Sequence, residues 1–393
     1  MTIGFASRAA VSTCALCTAG LLALAPAAAT AGTRPNPAPP AGSRTAPHSL
    51  LYRSGTQVRP RAEAPEVPEL SARSWLVADA DSGEVLAAHD AHRRLPPAST
   101  LKTLFALTVL PVLPGSLQHT VSYEELADIG PGSSLVGIAE DRTYRISDLW
   151  NGVFLSSGND AVHVLAALNG GWQATTEQMQ EKARSLGAHD TWVESPDGYD
   201  APGQVSSAFD LAVFGRAGLH SPDFVRYCSR AEAMFPGRDG GSYGILNTNR
   251  LLTGAGGVDP YPGLLGIKNG YTSNAGNTLV AAARRDGRTL VVTVLNPRSD
   301  GGHTVYDEAR ALLDWGFEAS GRVDPVGSLD ALRATSMPGP RGRSAAGPAS
   351  APASAPAVRG ADPERPAVWT VACTTLLGAA GMALFLRLRW ARS

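Results

Sequence analysis

Lysine is almost missing from this chain of 393 residues: of its 34 cationic side chains only Lys102, Lys182 and Lys268 are lysines. Arginine keeps its proton inside a protein, whereas a desolvated lysine can give it up, so each lysine here asks for a chemical reason. Cysteine is scarce as well. Cys14 and Cys17 fall in an apolar leader and Cys373 in an apolar stretch near the C-terminus, which leaves Cys228 alone in the body. With no disulfide available, a hydrophobic core has to stabilise the fold. Net charge is only −1 and no basic stripe is present, which argues against nucleic acid as a partner. None of the eight histidines belongs to an H-E-x-x-H arrangement.

The two ends are not globular in composition. Residues 1–31 have a single charge, Arg8, an apolar stretch from Ala9 to Ala28, and a small-x-small site at Ala29-Thr30-Ala31, the pattern of a secretory signal. Residues 32–69 are rich in Pro, Ala and Arg and read as a disordered lead-in. Ala367 to Leu386 runs for twenty residues without a charge, long enough to span a bilayer. Arg387, Arg389 and Arg392 follow, so the tail 387–393 is expected on the cytoplasmic side and the body outside. Residues 321–366, rich in Pro, Ala, Gly and Ser, read as a linker from the body (70–320) to that span.

Within the body the centre is Pro96-Pro97-Ala98-Ser99-Thr100-Leu101-Lys102, followed by the apolar run Thr103 to Leu110. A serine opening a helix places Lys102 one turn on and on the same face, so its amine can reach the Ser99 hydroxyl. A weak nucleophile then has a base beside it. Backbone N–H groups and the positive end of the helix dipole converge there too, which suits a developing oxyanion.

In chain order, Trp75 to Ala78 and Glu84 to Ala87 flank Asp79-Ala80-Asp81-Ser82-Gly83 as a hairpin. A helix beginning near Ser147 breaks at Ser156-Ser157-Gly158-Asn159-Asp160 and a second resumes at Ala161, holding Ser157 and Asn159 on a tight link. Helices are also expected over 174–187 and from Ser206 to Leu219. Gly240-Gly241-Ser242-Tyr243-Gly244 fits G-x-S-x-G, but Phe235-Pro236-Gly237-Arg238-Asp239 cannot supply the buried strand that motif needs. Lys268 falls in Leu264 to Thr272, a strand expected to join Asn277 to Arg284 and Thr289 to Asn296 in an antiparallel sheet, with a closing helix from Thr304 to Phe317.

Together, Ser99-x-x-Lys102, Ser157-Gly158-Asn159 and Lys268-Asn269-Gly270 resemble the S-x-x-K, S-x-N and K-T-G set of penicillin-binding proteins and serine β-lactamases, most closely the D-alanyl-D-alanine carboxypeptidases. Two of three lysines filling both motif positions among 34 cations has a chance on the order of one in two hundred. The resemblance, over about residues 72–318, implies an α+β fold: an antiparallel β-sheet flanked by helices with an all-helical subdomain. It implies an acyl-enzyme on Ser99, with Lys102 as base, Ser157 as proton relay and Asn159 orienting the substrate amide. It also implies an oxyanion hole from the N–H groups of Ser99 and Tyr271, with Lys268 holding a terminal carboxylate. No metal or other cofactor is implied. The implied partners are a peptidoglycan stem peptide, β-lactams as covalent inhibitors, and the membrane through the C-terminal span. Asn269 departs from the family's Thr or Ser, and Thr272 offers a hydroxyl nearby. Two other readings stay open: a non-catalytic penicillin- or wall-binding domain in which Asn269 has cost turnover, and a β-lactamase.

Overall fold

A run such as Leu290-Val291-Val292-Thr293-Val294-Leu295 gives a strand no polar face, so it has to be covered on both sides. In the computed structural model it is a central strand of one antiparallel sheet with helices on either face. The structure describes residues 50–299 and 301–330. The expected leader (1–31), membrane span (367–386) and basic tail lie outside the described residues. Among the described residues no helix is long and apolar enough to cross a membrane.

The chain opens with β1 (Thr56–Pro60), the hairpin β2 (Ser74–Asp79) and β3 (Glu84–His89), and then α1 (Lys102–Val109). A small ribbon, β4 (Gln118–Thr120) with β5 (Thr143–Arg145), precedes five helices. These are α2 (Ile146–Leu155), α3 (Asn159–Leu168), α4 (Trp172–Ser185), α5 (Ala208–Leu219) and α6 (Pro222–Cys228). The hairpin β6 (Glu232–Pro236) and β7 (Ser242–Leu246) and the turn of helix α7 (Arg250–Thr253) lead back to the sheet. There β8 (Leu264–Thr272), β9 (Gly276–Arg285) and β10 (Arg288–Leu295) form a meander, closed by α8 (Thr304–Ala319) and the short strands β11 (Val323–Asp324) and β12 (Gly327–Ser328).

The sheet runs β11-β1-β3-β2-β10-β9-β8, with β12 also paired to β3. Side chains alternate across it, as the two-residue period of a strand requires. Leu76, Val280 and Val291 face the helical layer with α1 to α6, while Val77, Leu279 and Val292 face Val305, Ala309 and Leu312 of α8. The expected α+β architecture is therefore present. The meander also leaves β8 at one edge of the sheet, carrying Lys268.

Two expected boundaries move. Residues 50–69, read as part of a disordered lead-in, belong to the fold: Leu51 is 2% exposed, β1 pairs with β3, and the Trp315 indole donates to the Pro65 carbonyl at 3.1 Å. Burying one leucine is worth about 1.5–3 kcal/mol, so this arm is fastened. Its composition hid it because β1 is a short strand that buries little and ends on Pro60. At the other end, residues 321–330 are not linker, since β11 pairs with β1 and β12 with β3. Ser242 of the G-x-S-x-G match opens an exposed hairpin strand that pairs with β6, which takes in Phe235 and Pro236, so a strand does precede the match, and strand rather than the motif's helix follows the serine.

Candidate active site

Pro97 precedes a single 3-10 turn, Ala98–Leu101, and the α-helix proper starts at Lys102 rather than at Ser99. Ala98 has φ +50°, a costly conformation for a residue with a Cβ, and one that recurs where a reactive side chain must be held at a set angle. The tight turn keeps the expected reach. Lys102 Nζ lies 2.8 Å from Ser99 Oγ, 2.7 Å from Asn159 Oδ1 and 2.6 Å from the Asp197 carbonyl.

The chemistry of these three neighbours matters more than their number. Two are carbonyl oxygens, which only accept, while the serine hydroxyl can also donate. An ammonium would donate to all three. A neutral amine donates to the two carbonyls, and its lone pair is left for the serine O–H. Burial pushes the Lys102 amine down to about 8, against the opposing pull of Asp197 and Asp160. A neutral amine is thus within reach near physiological pH.

Asn159 starts α3 directly after Ser157 and Gly158, two residues earlier than the expected start at Ala161, so it belongs to the helix rather than to the link. Its amide nitrogen donates to Ser133 Oγ at 2.9 Å, so the amide is oriented from both ends. The segment bearing Ser133 is itself clamped. The Asp160 carboxylate accepts the N–H groups of Val136, Gly137 and Ile138 at 3.0, 2.8 and 3.0 Å. Charge-assisted bonds of this kind are worth about 1.5–3 kcal/mol each, so the wall of the cleft is rigid.

Lys268 is 1% exposed and donates to the Asn269 carbonyl at 2.7 Å. Burial, and then the charge of Lys102, push its amine well below the ordinary lysine value. Gly270 brings β8 against Ser99: a Cβ there would lie 2.7 Å from the Ser99 nitrogen. Ser157 is buried with φ +56°, and among the described residues its hydroxyl has no hydrogen-bond partner, so the structure does not join it to Ser99 or to either lysine. Tyr271 is 68% exposed at the mouth of the cleft. The Thr272 hydroxyl accepts the Ala275 N–H at 3.1 Å and so fastens the β8–β9 turn; the hydroxyl beside Asn269 is that of Thr248 instead, at 2.9 Å. Lys182 lies on α4 and takes no part in these contacts.

The result is a polar cleft of about 210 Å³ lined by Ser99, Ser133, Asn159, Tyr199, Tyr271 and Thr272 among others. Sequence reasoning missed the Asp197 carbonyl as an acceptor for Lys102. A Cβ at Gly198 (φ +78°) would fall 2.2 Å from the Ala98 carbonyl oxygen, so only glycine fits against the Ala98-Ser99 backbone. Gly198→Ala is expected to lower the rate of serine acylation by about 10²-fold, the usual cost of an ångström's displacement at a reacting centre. Rates of penicillin labelling, with a thermal melt to confirm folding, measure this; a rate within twofold of the parent would remove Asp197 from the account.

Residues 61–299 match the Peptidase_S11 family, D-alanyl-D-alanine carboxypeptidase. The chain is 41% identical over 275 residues to the D-alanyl-D-alanine carboxypeptidase DacB2 of Mycobacterium tuberculosis, covering 69% of this chain and 90% of that one. It is 34% identical to DacD of Escherichia coli, over 64% of this chain and 65% of DacD. Among solved structures, a D-alanyl-D-alanine carboxypeptidase from M. tuberculosis H37Rv superposes with a TM-score of 0.63 at 38% identity, over 69% of this chain and all of that one. A Streptomyces K15 DD-transpeptidase mutant does so with a TM-score of 0.59 at 24% identity, over 64% and 99%, which shows a shared fold. On the family match and these identities, the chain belongs to the Peptidase_S11 family of D-alanyl-D-alanine carboxypeptidases.

Proposed function

We propose that this protein is a serine-type D-alanyl-D-alanine carboxypeptidase that removes the terminal D-alanine from peptidoglycan stem peptides. The observation that carries the reading is the Lys102 amine held by two obligate acceptors with Ser99 as its third neighbour. Ser99 Oγ attacks the carbonyl between the two D-alanines while Lys102 takes its proton. The oxyanion is met by the N–H groups of Ser99 and Tyr271, each worth about 2.7–4 kcal/mol. The C–N bond then breaks, and the departing amine takes the proton that Lys102 accepted from Ser99. Water hydrolyses the ester and frees Ser99.

Two buried amines in one site disfavour two charges. A substrate carboxylate beside Lys268 would stabilise the charge there and leave Lys102 neutral, so binding prepares the base. β-Lactams, which also pair a carboxylate with a reactive carbonyl, would acylate Ser99 and block it. We further read the chain as exported, with residues 367–386 holding the body at the outer face of the membrane, on the strength of the two apolar segments and the arginines that follow the second.

Fluorescent penicillin and D-alanine release from a pentapeptide together test the activity. Slow-turnover labelling plus release is expected. Labelling without release would sink the carboxypeptidase assignment in favour of a binding domain, and rapid hydrolysis of the penicillin would replace it with a β-lactamase.

A further inference from the structure

Asn269 occupies the position at which the family has a hydroxyl residue, and the structure shows what holds it. Thr248 Oγ1 lies 2.9 Å from Asn269 Oδ1, Asn269 Nδ2 lies 3.4 Å from the Tyr306 hydroxyl, and that hydroxyl donates to the Thr248 carbonyl at 3.1 Å. These contacts close a ring. Tyr306 has one O–H proton and spends it on Thr248, so its oxygen can only accept from Asn269. The side of the amide facing Tyr306 must therefore be the NH₂, and its carbonyl must face the Thr248 hydroxyl. With the amide turned over, its oxygen would meet a phenol oxygen with no proton to give.

An asparagine is longer and has more rotatable freedom than threonine, and fixing such a side chain on binding costs affinity. The ring removes that cost beforehand. It uses one N–H of the amide and leaves the second. Burial pushes the Tyr306 phenol up, so it stays protonated. The Arg250 guanidinium stands 5.9 Å from the Tyr306 ring, and among the described residues it has no carboxylate partner. The surroundings thus favour an anion.

We propose that Tyr306 and Thr248 are positioning residues that aim the free N–H of Asn269 at the terminal carboxylate of the substrate, taking over the task of the family's hydroxyl. This rests on the carboxypeptidase reading above. Tyr306 acts through Asn269 and touches no reacting atom.

The test is steady-state kinetics of the full chain on a D-alanyl-D-alanine pentapeptide, with penicillin acylation measured in parallel. Tyr306→Phe is expected to raise KM about fivefold with kcat within twofold, because the carboxylate contact is the same in ground and transition states. In an Asn269→Thr background, where a hydroxyl is restored at 269, the further change to Tyr306→Phe should move KM by less than 1.5-fold. An unchanged KM in the single variant would overturn the proposal, as would an equal loss in both backgrounds, which would mark Tyr306 as packing for α8. Should the parent react with penicillin yet release no D-alanine, the carboxypeptidase reading fails. The ring is then judged by the same comparison on the concentration of penicillin that half-saturates acylation.

Discussion

Ser99→Ala is expected to abolish covalent labelling by penicillin and to cut D-alanine release by about 10⁶-fold, leaving what binding and oxyanion donors alone sustain. The variant should fold. The Ser99 hydroxyl is only one of three partners of Lys102, and the Asn159 and Asp197 oxygens remain to hold the amine. Intact-protein mass after penicillin treatment, with digestion to locate any adduct, measures the outcome. An adduct on Ser157 or on another serine would show that the nucleophile has been misassigned.

The second large effect concerns the base. Lys102→Arg and Lys102→Met are each expected to slow acylation by about 10³ to 10⁴-fold. Arginine is the more telling of the two, because it keeps the positive charge and gives up only the ability to lose a proton. If charge alone were needed, Lys102→Arg would react at a rate close to the parent's. In the parent, with the amine near 8, the acylation rate should climb about tenfold per pH unit on the acid side and flatten above about 8. That limb should vanish in both variants.

The same amine links stability to pH. Its folded value lies below the ordinary lysine value of 10.5, so between about pH 8 and 10.5 the unfolded chain holds more protons than the folded one. Stability of the parent relative to Lys102→Met should therefore rise with pH across that window, by on the order of 3 kcal/mol, and stay level below it. Denaturant midpoints at pH 7, 9 and 10.5 read this directly.

What could be read in advance was whatever side-chain type and spacing encode. Ser99 and Lys102 are three apart, and three apart brings them together whether the turn is α or 3-10; the reach survived even though the helix started later than expected. Runs such as Val291 to Leu295 announce a covered strand because apolar side chains occupy both of its faces. The Asp197 carbonyl could not be found this way, since every residue has one and only the fold decides which points at an amine. Tyr306 escaped for a related reason. It sits on α8 among apolar neighbours, where an aromatic at helical spacing reads as core, and only the crossing of α8 over Thr248 and Asn269 gives its hydroxyl a task. The arm at Thr56–Pro60 was lost to its own composition: a lateral strand needs little apolar surface, and Arg59 and Pro60 look like solvent-exposed tether.

The two margins of the sheet have different owners. One is β8, with the buried amine of Lys268; the other is β11 beside β1, where Arg59 stands opposite Asp324 and Pro60 opposite Val323, with Arg61 salt-bridged to Asp324. Four strands, β3, β2, β10 and β9, stand between this clasp and β8. A break in that seam would therefore leave the pairing of β8 with β9 untouched.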